Sequence, residues 1–509
     1  MILAIVYFRS DKLFGILGWE FRADVAQSSA ERILMTDGGS TLFAQPLTRR
    51  GLLTSATAMA LAAGEIAGAR ASITAVQVNA RVIYQKFEGW GTSLAWWGHV
   101  VGGFAPNIRR DYLTRIFGIE SGLGLTVARY NIGGGENPRY KFLSYRAAIP
   151  GYAPRAGTFD WRADARQRLI LHECMGMGVT HIQAFSNSPP YYMTISGSVT
   201  GAKNGGNNLK VSDFQAFADY LADVVQHFDR TWGIRFQTLE AFNEPTSNWW
   251  KYGGQQEGCR IGNAEQNRII PILAKALRQR ALSTRIAAPD DNSIDETLAS
   301  VKSYDAQTLD DVYQIDTHSY SGAQRQELRQ FAAANKKRLW MSEYGDGDKT
   351  GLTMALRIVQ DMRELRPLAW VYWQAVDGGG GWGFMSNVED GRDTHYIVNK
   401  KYYVMANFSR FIRPGFRFID VGDAQSIAGY DPAHHRLVVV SVNAHKSGRE
   451  IIFNLNGFDY IGGRVQAYLT SPGHNLKHII GPSLFGNRFR VTLPAHATTT
   501  FVIDDCRVT

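Results

Sequence analysis

Cysteine is scarce in this sequence. The 509 residues include three cysteines, Cys174, Cys259 and Cys506, which are odd in number and far apart. A disulfide framework or a paired zinc-ligand motif is therefore not indicated, and we expect the three thiols to fill the interior. No cluster of histidine and carboxylate residues at ligand spacing is evident either, so we predict no metal ion and no other cofactor.

Long runs of one residue type are also lacking. The net charge is +9, but no basic run exceeds three residues, which argues against a nucleic acid partner. The apolar run at residues 54–63 is too short and too polar to span a membrane.

Aromatic residues are abundant, at 12% of the chain, which suits a surface on which sugar rings stack. We expect a monomer whose partner is a polysaccharide or oligosaccharide.

The N-terminus is typical of a targeting segment. Arg49 and Arg50 precede the apolar run, and an Ala-Arg-Ala site ends at Ala71. This order predicts a twin-arginine signal in a leader of residues 1–71 that is absent from a secreted or periplasmic mature protein. Met35 is a plausible initiator, which would make residues 1–34 spurious. The alternative is an ordinary helix with two surface arginines.

Strand-like and helix-like segments alternate after the leader. Strands are predicted at residues 87–95, 125–131, 181–186, 236–242, 285–289, 312–320, 338–343 and 369–375. Helices are predicted at residues 163–175, 212–228, 264–282 and 353–365, with Ser212 and Gln215 as a capping box in the second. Eight βα units predict a (β/α)8 TIM barrel over residues 87–405.

The sequence pattern changes near the C-terminus, where short strands and turns are predicted and helical periodicity is absent. Strands are predicted at residues 436–443, 449–456, 464–469 and 489–493. We interpret residues 406–509 as an antiparallel β-sandwich, completed by N-terminal strand residues 72–86. Both ends of the mature chain would then build one side domain, with a packing role favoured over sugar binding.

Two glutamates end predicted barrel strands. Glu244, within Asn-Glu-Pro, follows the fourth strand, and Glu343 closes the seventh. Reactive side chains of TIM barrels project from the carboxyl ends of strands, so the two carboxyl groups face one cleft. Glycoside hydrolysis needs such a pair, which predicts Glu244 as acid/base and Glu343 as nucleophile.

Other polar and aromatic residues are predicted around this pair. Arg129 on the second strand would keep Glu343 ionised, while Glu244 must hold its proton in an apolar setting. The remaining candidates for substrate binding or support are Asn243, His318, Tyr320, Trp373, Trp96 and Trp97. His318 and Tyr320 could instead be satisfied buried polar groups, and Trp96 and Trp97 could instead be packing residues.

Several motifs resemble glycoside hydrolase family 30. They are FEGWGTSLAWW at 87–97, ARYNIGGG at 128–135, SNSPPYYM at 186–193, FNEP, DTHSY, MSEYG and VYWQ. The resemblance covers residue 73 to the C-terminus and implies a retaining enzyme with a β side domain. It supports Glu244 and Glu343 in the roles given above, and it adds Asn187 and Tyr191 as substrate-binding candidates.

The first-strand motif most closely resembles the endo-β-1,6-galactanase branch, which implies hydrolysis of β-1,6-galactan side chains of the arabinogalactan type. A β-1,6-glucanase, a β-glucosidase or a xylanase is the alternative within the same chemistry. A non-catalytic carbohydrate-binding barrel and a metal-dependent hydrolase are the alternatives outside it. The sequence leaves endo or exo action open.

Overall fold

The computed structural model describes residues 74–387 and 394–508 of the chain. The predicted leader lies outside the described residues. Strand β1 spans Thr74–Lys86, and eight further strands close a parallel barrel in chain order. These are β2 Gly89–Ser93, β3 Val127–Asn131, β4 His181–Phe185, β5 Thr238–Glu240, β6 Arg285–Asp291, β7 Val312–His318, β8 Arg338–Tyr344 and β9 Ala369–Gln374.

Helices alternate with these strands and cover the barrel. They are α1 Trp97–Val101, α2 Pro106–Phe117, α3 Ala165–Met175, α4 Phe214–Trp232, α5 Asn263–Gln279, α6 Ile294–Ser303, α7 Ala306–Asp311, α8 Arg325–Ala334, α9 Leu352–Gln360 and α10 Lys400–Ser409. Short 3₁₀ turns lie at Tyr191–Met193 and Val211–Asp213, and a π-helical turn at Asp361–Leu365 extends α9. No helix within the described ranges has the length and apolarity needed to cross a bilayer.

Helix α4 shows how the sequence pattern produces the packing. Its apolar residues repeat every three or four positions, and Phe217, Leu221 and Phe228 are all buried against the barrel. The predicted capping box is wrong. A 3₁₀ turn precedes the helix, so Ser212 lies outside the N-cap position, and its hydroxyl contacts Asp213 rather than Gln215.

The remaining strands lie mainly in the C-terminal part of the chain. They are β10 Val376–Asp377, β11 Met385–Asn387, β12 Tyr396–Val398, β13 Arg417–Val421, β14 Ser426–Asp431, β15 Arg436–Asn443, β16 Arg449–Asn454, β17 Tyr460–Ile461, β18 Val465–Ser471, β19 His474–Ile479, β20 Arg488–Leu493, β21 Ala497–Ile503 and β22 Cys506–Arg507. Nine strands form one sheet in the order β19-β18-β21-β15-β14-β13-β1-β16-β20.

This sheet folds over on itself. The Phe501 ring on β21 lies 6.0 Å from the Phe453 ring on β16, although four strands separate them in the sheet order. The sheet is antiparallel except where β1 pairs with β16 in parallel. The predicted fold class, a TIM barrel with a side domain that combines β1 with the C-terminal strands, is confirmed, with this one parallel pairing as a difference.

The described residues form one compact unit. The main apolar core runs from the barrel into the sheet and includes Phe87 before β2 together with Val438 and Val502 of the sheet. All three cysteines are buried and unpaired, as expected for interior residues. The domain boundary predicted at residue 406 falls inside α10 and stays a prediction.

Candidate active site

Glu244 and Glu343 meet at the carboxyl ends of β5 and β8. Glu343 is the next-to-last residue of β8, whereas Glu244 lies four residues beyond β5 with a left-handed backbone, φ +47°. The backbone N–H of Glu244 donates to the Asp290 carbonyl at 2.9 Å, which anchors this turn to β6. One carboxylate oxygen from each glutamate lies within 4.8 Å of the other.

Glu343 accepts hydrogen bonds on both carboxylate oxygens. Arg129 Nη1 donates to its Oε2 at 3.0 Å, and the Tyr320 hydroxyl donates to its Oε1 at 3.0 Å. Tyr320 can hold this donor role because burial raises the pKa of its phenol well above the ordinary value. The two donors fix the direction in which the carboxylate points into the cleft.

The charge state of Glu343 differs from the expectation that Arg129 keeps it ionised. Burial raises the pKa of Glu343 to about 7, although His318 and Arg129 both act to lower it. Glu244, the nearby carboxyl, adds to the rise. The positive neighbours therefore only partly offset the loss of solvent around this carboxylate.

Glu244 has a different set of partners. Asn292 Nδ2 donates to its Oε1 at 2.6 Å, and Trp249 Nε1 donates to its Oε2 at 3.3 Å. His318 Nδ1 lies 3.3 Å from the same Oε1. Because the Trp249 side chain is 46% exposed, it borders the open cleft beside the carboxyl group that is the candidate acid.

A buried network of ionisable side chains lies next to Glu244 and Glu343. Arg129 Nη2 donates at 2.6 Å to both Glu240 and Asp290. Gln183 links Arg129 to Asp316, with hydrogen bonds of 3.1 and 2.6 Å. Burial raises the pKa of Glu240 well above its ordinary value and also raises that of Asp316. Both shifts favour the protonated acids, which limits the negative charge around the single guanidinium.

Several predicted binding residues line the same end of the barrel. Trp96 and Trp373 are half-buried and meet edge to face at 5.3 Å between ring centroids. The Oδ1 of Asn243, next to Glu244, is buried and has no hydrogen-bond partner among the described residues. An oxygen left unpaired in this position is available to a sugar hydroxyl.

Other predicted residues have different surroundings. Trp97 is completely buried, donates to the Ser93 carbonyl at 2.7 Å and packs against Phe117, so it belongs to the core and offers no face to a sugar. Tyr191 is half-buried, and its hydroxyl donates to the Pro154 carbonyl at 3.2 Å. Asn187 is buried just beyond β4.

Three residues of the site were not predicted from the sequence, namely Asp290, Glu240 and Asn292. Asp290 and Asn292 follow residue 289, where the fifth barrel strand was predicted to end, so the rule that placed Glu244 would have found them. Glu240 lies inside the predicted fourth strand, four residues before Glu244. It was overlooked because a carboxyl group inside a strand is costly unless it is paired.

Glu244, His318 and Glu343 bring one ligand-type atom each to within 4.8 Å of one another, although the sequence indicated no histidine and carboxylate cluster at ligand spacing. The spacing would suit a metal ion, but the surroundings of His318 favour its protonated form. Burial opposes its charge, yet Glu343 and Asp290 raise the pKa of His318 well above its ordinary value. An imidazolium has protons on both nitrogens and no lone pair for a metal.

A TIM barrel with two glutamates facing each other at the ends of its fourth and seventh strands is the arrangement of a glycoside hydrolase. Residues 73–336 match the family model described as "O-Glycosyl hydrolase family 30". The chain belongs to this family, and its fold and site agree with that membership.

Two relatives are enzymes that act on galactan-type linkages. The chain is 33% identical over 409 residues to an endo-β-1,6-galactanase of Hypocrea rufa, covering 75% of this chain and 83% of the relative. It is 26% identical to an exo-β-1,6-galactobiohydrolase of Bifidobacterium longum, covering 57% of this chain and 26% of that protein.

A solved structure has the same fold. The catalytic domain of a family 30 xylanase C from Talaromyces cellulolyticus superposes with a TM-score of 0.65 at 23% identity. The similarity covers 84% of this chain and 100% of that structure.

Proposed function

We propose that this protein is a secreted, retaining endo-β-1,6-galactanase that hydrolyses β-1,6-galactan side chains of the arabinogalactan type. The observation that carries the chemistry is the short separation between Glu244 and Glu343. Retaining enzymes hold their carboxyl groups about 5–5.5 Å apart, whereas inverting enzymes leave about 6.5–9.5 Å for a water molecule. Oxygen atoms within 4.8 Å of each other fit the first arrangement.

In the first step, the Glu343 carboxylate attacks the anomeric carbon while the Glu244 carboxyl group gives its proton to the departing glycosidic oxygen. The bond from the anomeric carbon to that oxygen breaks, and an ester to Glu343 forms. Arg129 and Tyr320 hold the attacking oxygens in place at 3.0 Å each. This fixed orientation reduces the entropy that the reaction must lose.

In the second step, Glu244 is a carboxylate and takes a proton from water. The water oxygen attacks the anomeric carbon, the ester bond breaks, and Glu343 is released as a carboxylate. Two displacements at one carbon return the β configuration. Trp249, exposed beside Glu244, is placed to stack on the sugar of the leaving group.

Galactan is favoured over other sugars by the comparisons with relatives. The endo-β-1,6-galactanase shares 33% identity with this protein over most of both chains. The name of the second relative, exo-β-1,6-galactobiohydrolase, also refers to β-1,6-linked galactose. Two glucuronoxylanases of Bacillus subtilis share 27% identity over 314 residues, so a xylanase is the second candidate. A β-1,6-glucanase, a β-glucosidase and a non-catalytic carbohydrate-binding barrel are the further alternatives.

Product analysis on β-1,6-galactan, β-1,6-glucan and β-1,4-xylan in parallel tests the substrate. We expect galactan to be cut fastest, into oligosaccharides of mixed length. Release of a single product size from galactan would indicate exo action, and faster cleavage of glucan or xylan would contradict the sugar assignment. NMR of the first product should show the β anomer, and initial release of the α anomer would rule out retention.

Export is part of the proposal and rests on the sequence alone. We propose twin-arginine transport with Arg49 and Arg50 as the signal and cleavage after Ala71. N-terminal sequencing of the exported protein should begin at Ser72. A mature chain that begins near Met1, or export that survives replacement of both arginines by lysine, would contradict it.

A further inference from the structure

His318 lies between Glu244 and Glu343, and Asp290 contacts the opposite side of its ring. Its Nδ1 is 3.3 Å from Glu244 Oε1 and 3.6 Å from Glu343 Oε1. On the opposite side of the ring, Nε2 is 3.1 Å from Asp290 Oδ1. The imidazole is completely buried, and neither nitrogen makes an aligned hydrogen bond among the described residues. All three distances are short enough for ion pairs, and the ring lies between the carboxyl groups of Glu244, Glu343 and Asp290.

Asp290 is itself fixed by several groups. Its Oδ2 accepts from Arg129 Nη2 at 2.6 Å, and its Oδ1 accepts from the Ser342 hydroxyl at 2.6 Å. Its carbonyl accepts the backbone N–H of Glu244. Although burial alone would raise the pKa of Asp290, Arg129 and His318 hold it below the ordinary value. These contacts favour the carboxylate form of Asp290, which faces His318.

We propose that Asp290 is a positioning residue that keeps His318 as an imidazolium between Glu244 and Glu343, so that one cation stabilises each glutamate in turn. The inference rests on the double-displacement mechanism proposed above. Arg129 touches Glu343 but makes no described contact with Glu244. Among the described ion pairs, His318 is the cation that reaches both glutamates.

The mechanism gives this position a function. Before the first step, the negative charge is on Glu343 and Glu244 holds the proton. After it, Glu343 is a neutral ester and Glu244 carries the charge. Because Nδ1 lies at nearly the same distance from both glutamates, the imidazolium can stabilise the charge on Glu244 with little movement. Charge that is stabilised by a preorganised group requires no reorganisation during reaction.

The acidic groups that face His318 from neighbouring elements all favour the imidazolium. Asp290 comes from β6, Glu343 from β8 and Glu244 from the turn after β5. Tyr320 packs against the ring at 5.8 Å between centroids, and its hydroxyl binds Glu343. Arg129 opposes the imidazolium, but its own ion pairs with Asp290 and Glu343 offset its charge.

The test replaces Asp290 with asparagine, which keeps the size and removes the charge. The matched control is Asp291→Asn on the same strand, because Asp291 is equally buried but bonds Thr246 and Ser300 instead of the site. Nitrogen-15 NMR of the His318 ring, assigned by its loss in His318→Gln, should show its pKa falling by about one pH unit or more in Asp290→Asn. The control should leave that titration unchanged.

Kinetics on an activated aryl β-galactoside separate the two steps. In His318→Gln, which does not depend on Asp290→Asn folding, we expect glycosylation and deglycosylation each to slow by about 10²-fold. Slowing of only one step, or an unchanged His318 titration in Asp290→Asn, would overturn the proposal. The NMR measurement needs no substrate, so a wrong sugar assignment would not affect it.

Discussion

Glutamine at position 244 or 343 keeps the shape of the side chain but can neither donate a proton nor attack carbon. We expect each variant to lose galactan hydrolysis by at least about 10³-fold. Only Glu244→Gln should retain activity on substrates with a good leaving group, because such a group departs without protonation. Steady-state rates on both substrate types measure this. If Glu343→Gln were the variant that stays active, the two roles would be reversed.

The pH dependence should follow Glu343, whose pKa is about 7 because it is buried. The nucleophile must be a carboxylate, so kcat/KM should fall as the pH drops below about 7. Tyr320→Phe removes a donor that stabilises the charged form, which should move this midpoint upward.

Tyr313→Phe is the control for that shift, because Tyr313 lies at the start of β7, whereas Tyr320 follows the end of that strand. Its profile should match the parent protein. An acid limb that stays in place in Tyr320→Phe, or moves downward, would mean that this hydrogen bond does not stabilise the carboxylate.

Chelation tests the cluster of Glu244, His318 and Glu343 directly. Since a protonated His318 has no free lone pair, we expect full activity on galactan after exhaustive treatment with a chelator. Activity that is lost on chelation and restored by a divalent metal would show that the cluster binds a metal ion.

At the scale of residues, alternation along strands located much of the site before the structure was known. His318 and Glu343 are paired in the β7–β8 register, which brings their side chains together. The failures have a physical cause. Trp97 follows a strand end like Trp96, but helix α1 begins there and turns Trp97 into the core. The pKa of Glu343 depends on how completely neighbours exclude water, which a sequence does not specify.

At the scale of elements, all eight barrel strands lie where the sequence predicts them, although their ends differ by a few residues. The fourth predicted strand, 236–242, shrinks to Thr238–Glu240, since the chain bends to bring Glu244 over the barrel. Strand pairing across long sequence separations, such as β1 with β16 in parallel, has no local signal. The pattern of short strands and turns therefore predicted an entirely antiparallel sheet.

Helix α8 is tied to the barrel by a buried ion pair that gives an element-scale prediction. Arg325 Nε donates to Asp361 Oδ1 at 2.9 Å, and Trp370 Nε1 donates to Asp361 Oδ2 at 3.0 Å. Arg325 Nη2 also donates to the Ser319 hydroxyl at 3.0 Å, next to His318 in the chain. The pair thus joins α8, the π-helical turn, β9 and the end of β7.

Replacing Arg325 with leucine should lower the free energy of unfolding by about 3–5 kcal/mol, because the buried charge of Asp361 loses its cationic partner. The control is Arg436→Leu, whose partner Asp504 is also at the surface, with both side chains more than 40% exposed. That change should cost at most about 1 kcal/mol. Urea denaturation of both variants measures the difference, and equal losses would contradict the argument.

At the scale of the whole molecule, barrel and side sheet share one core. Trp90 in β2 donates to the Ile412 carbonyl at 2.8 Å, and Phe87 meets Phe418 of β13 edge to face at 5.3 Å between ring centroids. Strand β1, which precedes the barrel in the chain, pairs with β13 and β16 of the sheet. The sequence predicted a separate side domain, but it could not show that the two parts share apolar contacts of this extent.

A shared core predicts a single cooperative unfolding transition. Barrel tryptophan fluorescence and far-UV circular dichroism should give the same midpoint, because neither part keeps its buried apolar surface without the other. Phe418→Ala opens a cavity at the junction and should lower that common midpoint, at a cost of about 3–5 kcal/mol. Phe485→Ala, at a side chain 73% exposed in the same sheet domain, should change stability by less than about 0.5 kcal/mol. Two separate transitions in the parent protein, with Phe418→Ala moving only one of them, would show that barrel and sheet unfold independently.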